Sequence, residues 1–307
     1  MHRPSAVGQA LLAVGDQWTL LILQRALLGR ARRFADWRDD LHIAESVLAS
    51  RLREMVARDL LLPKSYTANG RTRPEYMLSP RAIDLWPMFV AIWSWERAWV
   101  ARPNPLPDLI HDTCGQSIDV ELGCGACGKW PTAGADIQTA YDAGIFAQVA
   151  VPRLHRRTVR LDASADPLSY FPETLAIIAD RWSTVVLAAA FVGVRRFADF
   201  QETLGVAPSV LSARLRLFTD LGVLEAADDA AGESRGYWLT PKGLAFSPTF
   251  VVLIDWANRW YNSESSDSKL TIIHRRCGAT LVPQLRCRTC GDVVDRTNIH
   301  FWLPPRA

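Results

Sequence analysis

The apolar positions of the first hundred residues change period several times, and each change marks an element. In GDQWTLLILQRALL (15–28), Trp18, Leu21 and Ile22 recur at helical spacing, and Phe34 opens a second amphipathic segment that ends near a turn at 41–43. Residues 46–58 predict a third helix: at about 100° per residue, Leu48, Leu52 and Met55 share one face while Ser46, Ser50 and Arg53 project from the other. Short apolar segments at 60–63 and 76–78 flank the polar stretch KSYTANGRTRPE, which predicts a two-stranded hairpin with a flexible tip. After Pro80 the run LWPMFVAIWSWERAW predicts a long helix too apolar to lie alone on water, so it needs a partner.

The same pattern returns in the second half. GDQWTLLILQRALL (15–28) aligns with ADRWSTVVLAAAFV (179–192), RRFADW (32–37) with RRFADF (195–200), and LHIAESVLASRLRE (41–54) with LGVAPSVLSARLRL (204–217). YMLSP (76–80) then matches YWLTP (237–241), and Trp95 and Trp99 answer Trp256 and Trp260. Length changes fall between these blocks, where loops tolerate them, so an ordered series of this kind identifies a tandem duplication. The expected organisation is a winged helix-turn-helix domain at 1–100, a metal-binding segment at 101–130, a connector at 131–165, a second winged domain at 166–262 and a second metal-binding segment at 263–307. The fold class is mainly α with small β-hairpin wings, that is α+β.

Composition adds little to this picture except by exclusion. Hydrophobic residues make up 49% and charged residues 22% of the 307, an ordinary globular balance that argues against disorder. No apolar run reaches membrane-span length and the first residues lack the features of a signal peptide, so a cytoplasmic protein with no membrane partner is expected. A net charge of +3 is too small to argue for a polyanionic partner, which leaves the local distribution to decide.

GDQWTLLIL, RRFADW, SVLASRLREM, RDLLL, RPEYMLSP and the tryptophan-rich final helix together resemble the HxlR family of bacterial winged helix-turn-helix regulators, over nearly all of 10–100 and again of 174–262. The resemblance implies a transcriptional regulator of double-stranded DNA, with repression as its usual mode, and no enzyme. The cysteine that often precedes the family's first helix is missing, so thiol-based sensing does not carry over, and Ala44 and Ala207 stand where a capping serine is common. The family dimerises through its terminal helices; this chain carries two copies, which implies an internal pseudo-dimer, with a homodimer through the same helices as the other arrangement. No small-molecule effector is specified by these residues.

On the free face of the third helix, Ser46, Ala49, Ser50 and Arg53 are the candidate DNA contacts, with Ser209, Ser212, Ala213 and Arg216 as their counterparts. A solvated helix face would look the same in isolation; the repeated winged context favours DNA. Lys64, Arg71 and Arg73 make the first wing basic against Glu75, whereas Glu225, Asp228, Asp229 and Glu233 make the second acidic against Arg235. A basic stretch around His155 in the connector is read as solvated. An adaptor built on degenerate winged helices, its second domain serving mainly for pairing, is the rival reading.

All six cysteines lie in HDTCGQSIDVELGCGAC and HRRCGATLVPQLRCRTC, each HxxC, nine residues, then CxxC. A reducing cytoplasm disfavours disulfides, and two thiolates from a CxxC turn with a further cysteine and histidine can close a tetrahedral zinc site. Each segment is expected to close its own: His111, Cys114, Cys124 and Cys127 in the first, and His274, Cys277, Cys287 and Cys290 in the second. A closed four-ligand set leaves no free thiol for redox work and no open position for catalysis, so two structural zinc ions are expected. The recurring tryptophans are expected to pack in cores or interfaces rather than to contact a ligand.

Overall fold

The computed structural model describes residues 5–68, 71–102, 106–132, 134–141, 171–228, 235–261 and 270–302. The first copy runs α1 (Ala6–Val14), α2 (Gln17–Leu27), α3 (Phe34–Leu41), α4 (Glu45–Ala57), β1 (Leu61–Ala68), β2 (Arg71–Leu78), α5 (Pro80–Ile83) and α6 (Trp86–Trp99), then β3 (Asp108–His111), β4 (Gln116–Ser117) and β5 (Val120–Cys124). Strand β6 (Ile137–Tyr141) lies between the copies. The second copy runs α7 (Pro172–Ile178), α8 (Arg181–Phe191), α9 (Phe197–Leu204), α10 (Pro208–Asp220), β7 (Leu224–Asp228), β8 (Arg235–Leu239), α11 (Pro241–Leu244) and α12 (Ser247–Tyr261), then β9 (Leu270–His274), β10 (Pro283–Cys287) and β11 (Ile299–Trp302).

Equivalent sequence makes equivalent local structure. The aspartate shared by GDQW and ADRW is an N-cap: Asp16 accepts from the Thr19 N–H at 3.1 Å and Asp180 from the Ser183 N–H at 2.9 Å, each satisfying a free amide at a helix start. The turn after α3 is closed by His42 at φ 47° and that after α9 by Gly205 at φ 57°, so the left-handed residue is a histidine in one copy and a glycine in the other. Ala44 and Ala207 sit at N-cap positions of α4 and α10 without a side-chain cap bond. Leu48, Leu52 and Met55 are buried under α4, as Leu211, Leu215 and Phe218 are under α10.

The first wing departs from its expected form. Its strands continue through the polar stretch to Ala68 and from Arg71, with Lys64 opposite Glu75, Tyr66 opposite Arg73 and Thr67 opposite Thr72. Cross-strand pairs of opposite charge and of hydroxyls hold a ladder together without apolar burial, which is why periodicity alone placed the strand ends too early. The second wing pairs only Leu224–Asp228 with Arg235–Leu239. Asp229 and Glu233 lie outside the described residues, as does the basic stretch around His155.

Helices α1 and α7 are an addition to the expected set, and each crosses to the other copy: α1 packs on α12, and α7 against α6 as well as on α8. Helices α6 and α12 pack on one another, and each bonds to the short helix that precedes the other. The Trp95 indole N–H donates to the Lys242 carbonyl at 3.0 Å, and the Trp256 indole N–H donates to the Arg81 carbonyl at 2.8 Å. Both rings are buried; each removes roughly 200 Å² from water, on the order of 5 kcal/mol before the entropy of ordering is subtracted. Trp18, Trp182 and Trp260 pack at the core margin, whereas Trp99 departs from expectation at 40% exposed.

The segments that follow the winged units interleave. Strand β5 pairs antiparallel with β10, Leu122 facing its own repeat equivalent Leu285, so a local two-fold relation passes between them. On either side β11 pairs with β3 and β6 pairs with β9. Among the described residues no single helix is long and apolar enough to cross a membrane.

Candidate metal centres and nucleic-acid interface

Strands β3 and β9 end at His111 and His274, and the chain turns at once, the amides of Gly115 and Gly278 donating to the histidine carbonyls at 2.7 and 2.8 Å. Strands β5 and β10 end at Cys124 and Cys287, and the amides of Gly128 and Gly291 donate back to those carbonyls at 2.8 Å in each case. All four glycines have φ between 67° and 79°, the left-handed region in which a side chain is strained. The knuckles thus follow directly from the glycine after each of Cys114, Cys127, Cys277 and Cys290.

The knuckles combine across the repeats, which corrects the expectation that each segment closes its own site. His111 and Cys114 stand with Cys287 and Cys290; Cys124 and Cys127 stand with His274 and Cys277; in each group the ligand atoms lie within 4.8 Å of one another. The β5–β10 pairing is the reason. It sets Cys124 opposite Pro283, at the end of β10 remote from Cys287, and so carries each CxxC away from its own HxxC.

The geometry fits a metal. Nδ1 of His111 lies 3.5 Å from the Cys114 Sγ and 3.4 Å from the Cys290 Sγ, and Cys114 Sγ is 3.9 Å from Cys287 Sγ. In the other group Nδ1 of His274 is 3.4 Å from Cys127 Sγ and 3.3 Å from Cys277 Sγ. A four-coordinate ion with thiolate and imidazole bonds of roughly 2.0–2.3 Å has ligand edges of about 3.5–3.8 Å. Both imidazoles are fully buried, and Nε2 of each has no hydrogen-bond partner among the described residues, so Nδ1 alone faces the thiols. Burial pushes the Cys124 and Cys287 thiols up, but the backbone N–H groups of Cys127 and Ala126, and of Cys290 and Thr289, outweigh it and hold both below the ordinary thiol value. Among the described residues these are the two groups of metal-ligating side chains that come together.

On α4 Ser46, Ser50 and Arg53 are exposed and Ala49 is half-buried; on α10 Ser209, Ser212, Ala213 and Arg216 are all exposed. Arg53 donates to the Ala49 carbonyl of its own helix at 3.2 Å. The neighbouring arginines have another task, which sequence reasoning missed: Arg51 pairs with Asp16 at 3.0 Å and Arg214 with Asp180 at 2.7 Å, tying each of these helices to the cap of the helix behind it. The signal lay in the doubled RLR, where a two-residue step of about 200° separates the inward arginine from the outward one. Lys64 and Arg73 are exposed on the first wing; Arg71 opens β2, and its side chain lies outside the described residues. Arg33 stacks over the Tyr66 ring at 4.7 Å and adds a further cation at the wing's base.

Two copies of a helix-turn-helix with a β-hairpin wing, each presenting the free face of its third helix to solvent, define a tandem winged helix-turn-helix protein. The chain belongs to the HxlR-like helix-turn-helix family, whose model matches residues 13–104 and 177–265. Uncharacterized HTH-type transcriptional regulators of Mycobacterium tuberculosis and Mycobacterium bovis are 39% identical over 129 residues, which is 42% of this chain and 80% of theirs. A crystal structure of a candidate transcription factor is 31% identical with a TM-score of 0.38, covering 44% of this chain and 93% of its own. The protein is therefore a member of an HTH-type transcriptional regulator family.

Proposed function

We propose that this chain is a DNA-binding transcriptional repressor in which one polypeptide supplies both halves of an intramolecular pseudo-dimer. The observation that carries the reading is the reciprocal packing of α6 and α12, with Trp95 and Trp256 each bonding to the opposite copy, because it uses up the surfaces on which two separate chains would pair. Helices α4 and α10 then enter major grooves, with Ser46, Ala49, Ser50 and Arg53 on one and Ser209, Ser212, Ala213 and Arg216 on the other. Arg53 and Arg216 are the side chains able to read guanine bidentately, and the serines approach phosphates. Lys64, Arg71 and Arg73 of the first wing hold the backbone, whereas the acidic second wing stays off it.

Zinc is the ion that suits both Cys₃His groups, since soft thiolates with one imidazole in a closed tetrahedron match its preferences. Its role is structural and the chain is not an enzyme: all four positions are filled by protein, and no water-bearing position remains for chemistry. The domain limits of 1–100 and 166–262 for the winged units follow the repeat, with 101–130 and 263–307 joined through the metals and 131–165 as connector.

Selection of bound genomic fragments with the purified chain, followed by a gel-shift salt titration on the recovered duplex, tests this reading. Binding whose logarithm falls linearly with the logarithm of salt, at a non-palindromic site that matches the unequal wings, is the expected result. The acidic second wing favours one other reading, an adaptor whose second domain binds protein; duplex binding that is absent or independent of salt would select it.

A further inference from the structure

The two copies enclose equivalent sites between the crossing helix, the second helix of the winged unit and the long terminal helix, and only one of these sites is filled. In the first, bounded by α7, α2 and α6, the free space is about 10 Å³. In the second, bounded by α1, α8 and α12 and closed by the β6–β9 ribbon, a cavity of about 120 Å³ remains. The walls correspond: Thr184, Val185, Phe250 and Leu253 stand where Leu20, Leu21, Phe89 and Ile92 stand in the filled site.

Three aromatic rings account for the difference. Trp93 is fully buried, with its ring 5.9 Å from that of Phe171 and 4.7 Å from that of Phe301, both edge-on. The repeat places Ile254 where Trp93 is, Val7 where Phe171 is and, by strand register, Thr139 where Phe301 is: Phe301 is paired with Leu109 and Thr139 with its equivalent Ile272. All three replacements line the cavity. Phe191, in place of Leu27, returns one ring and packs on Phe250 at 5.4 Å, so the loss is partly but not fully refilled.

We propose that this cavity is a binding site for a small, neutral, single-ring compound carrying a hydroxyl or a similar group. An apolar cavity of about 150 Å³ in another protein stays dry and takes up benzene, and a single ring restores the contacts that the missing side chains made. Among the described residues no charged side chain lines the space, which favours a neutral ligand over an ion. The Thr139 and Ser247 hydroxyls on its wall have no partner among the described residues, and Thr184 donates to the Ile177 and Asp180 carbonyls at 3.2 and 3.1 Å, leaving its oxygen free to accept. Those groups select one polar substituent on an otherwise apolar ring. The proposal is independent of the DNA-binding reading.

The test is equilibrium binding of phenol, indole and benzyl alcohol to the full metal-loaded chain, by calorimetry and by ligand-observed NMR, with Ile254→Trp and Val7→Phe as separate filling variants. The wild type is expected to take up at least one of the three compounds at one equivalent. Each filling variant that retains wild-type helicity and metal content is expected to lose at least tenfold in affinity. Trp93→Ile, which opens the first site, is expected to add a second equivalent. Absence of binding of all three compounds at millimolar concentration, or undiminished binding by both folded filling variants, overturns the proposal.

Discussion

Around α6 the first copy of the winged unit stacks Trp93, Phe171 and Phe301, whereas around α12 the second puts Ile254, Val7 and Thr139 in the same places. The wings differ as well: eight-residue strands with Lys64 and Arg73 exposed in one copy, and five-residue strands with Glu225 and Asp228 exposed in the other. The caps at Asp16 and Asp180, the indole bonds of Trp95 and Trp256, and the four knuckle glycines do not differ. What has stayed equal is what one copy requires of the other or of its own helix ends. Divergence is concentrated where a side chain faces solvent or a space that the other copy does not share.

The crossed Cys₃His groups allow the largest test of how far the copies depend on one another. Cys114→Ser with Cys287→Ser removes two ligands from one site, and metal analysis should find one ion per chain; Cys114→Ser with Cys124→Ser damages both sites and should leave none. Pairing within each segment predicts the reverse. Full chelation should unfold the interleaved strands, because a structural zinc contributes on the order of 10 kcal/mol, and loss of the β-sheet signal with retention of helix would report it.

A smaller but one-sided effect is expected at Glu96. It is fully buried on α6, pairs with Arg102 and accepts the Thr174 N–H at the start of α7 at 2.9 Å, while its repeat equivalent is Ala257. Glu96→Ala should destabilise by about 3 kcal/mol because it removes a fully buried carboxylate together with its ion pair to Arg102 and its bond to the α7 start, and Glu96→Gln by less. Burial raises the carboxyl above the ordinary glutamate value despite Thr174 and Arg102. With the folded value above the unfolded one, its proton-linked contribution is present below the ordinary glutamate range and is lost as pH rises through the raised value. Denaturant titrations across that window should show a slope that Glu96→Gln flattens.

The wings offer the next test. Replacing Lys64, Arg71 and Arg73 by alanine should lower the salt slope of duplex binding by roughly three, at about 0.9 per phosphate contact, whereas neutralising Glu225 and Asp228 should change it little. An equal effect from the two sets would erase the electrostatic distinction between the copies. The smallest effect belongs to a turn: His42→Gly should stabilise by about 1 kcal/mol by relieving a left-handed residue, bringing the first copy level with Gly205, and thermal unfolding at fixed metal content reads it.

The helices were legible because each carries its own signal: an aspartate before Trp18 and Trp182, apolar residues four and three apart on α4 and α10, and a terminal helix too apolar to stand alone. All eight residues that come together in the two Cys₃His groups were legible for the same local reason, as glycines follow five of the six cysteines. Their partnership was not. Both segments have identical spacing, so His111 could take Cys124 and Cys127 or Cys287 and Cys290 without any change in sequence, and only the β5–β10 ladder makes the choice. Helices α1 and α7 escaped notice because AVGQALLAV and PETLAII share no pattern; each answers to the surface it crosses to. The first wing's length was hidden because its outer half is held by polar cross-strand pairs, which leave no apolar period.

Because each Cys₃His group takes two residues from either segment, one repeat alone holds two half-groups and no whole one. A free-standing unit of this design closes its sites only against a second copy, at a rate set by its concentration. Joined in one chain, the halves meet at an effective concentration fixed by the connector, independent of expression level. Fusion also fixes which half meets which. Two identical units have to remain self-complementary, whereas a covalent pair is free to become a matched but unequal couple, and a cavity open beside α12 but filled beside α6 and a basic first wing are the marks of that freedom.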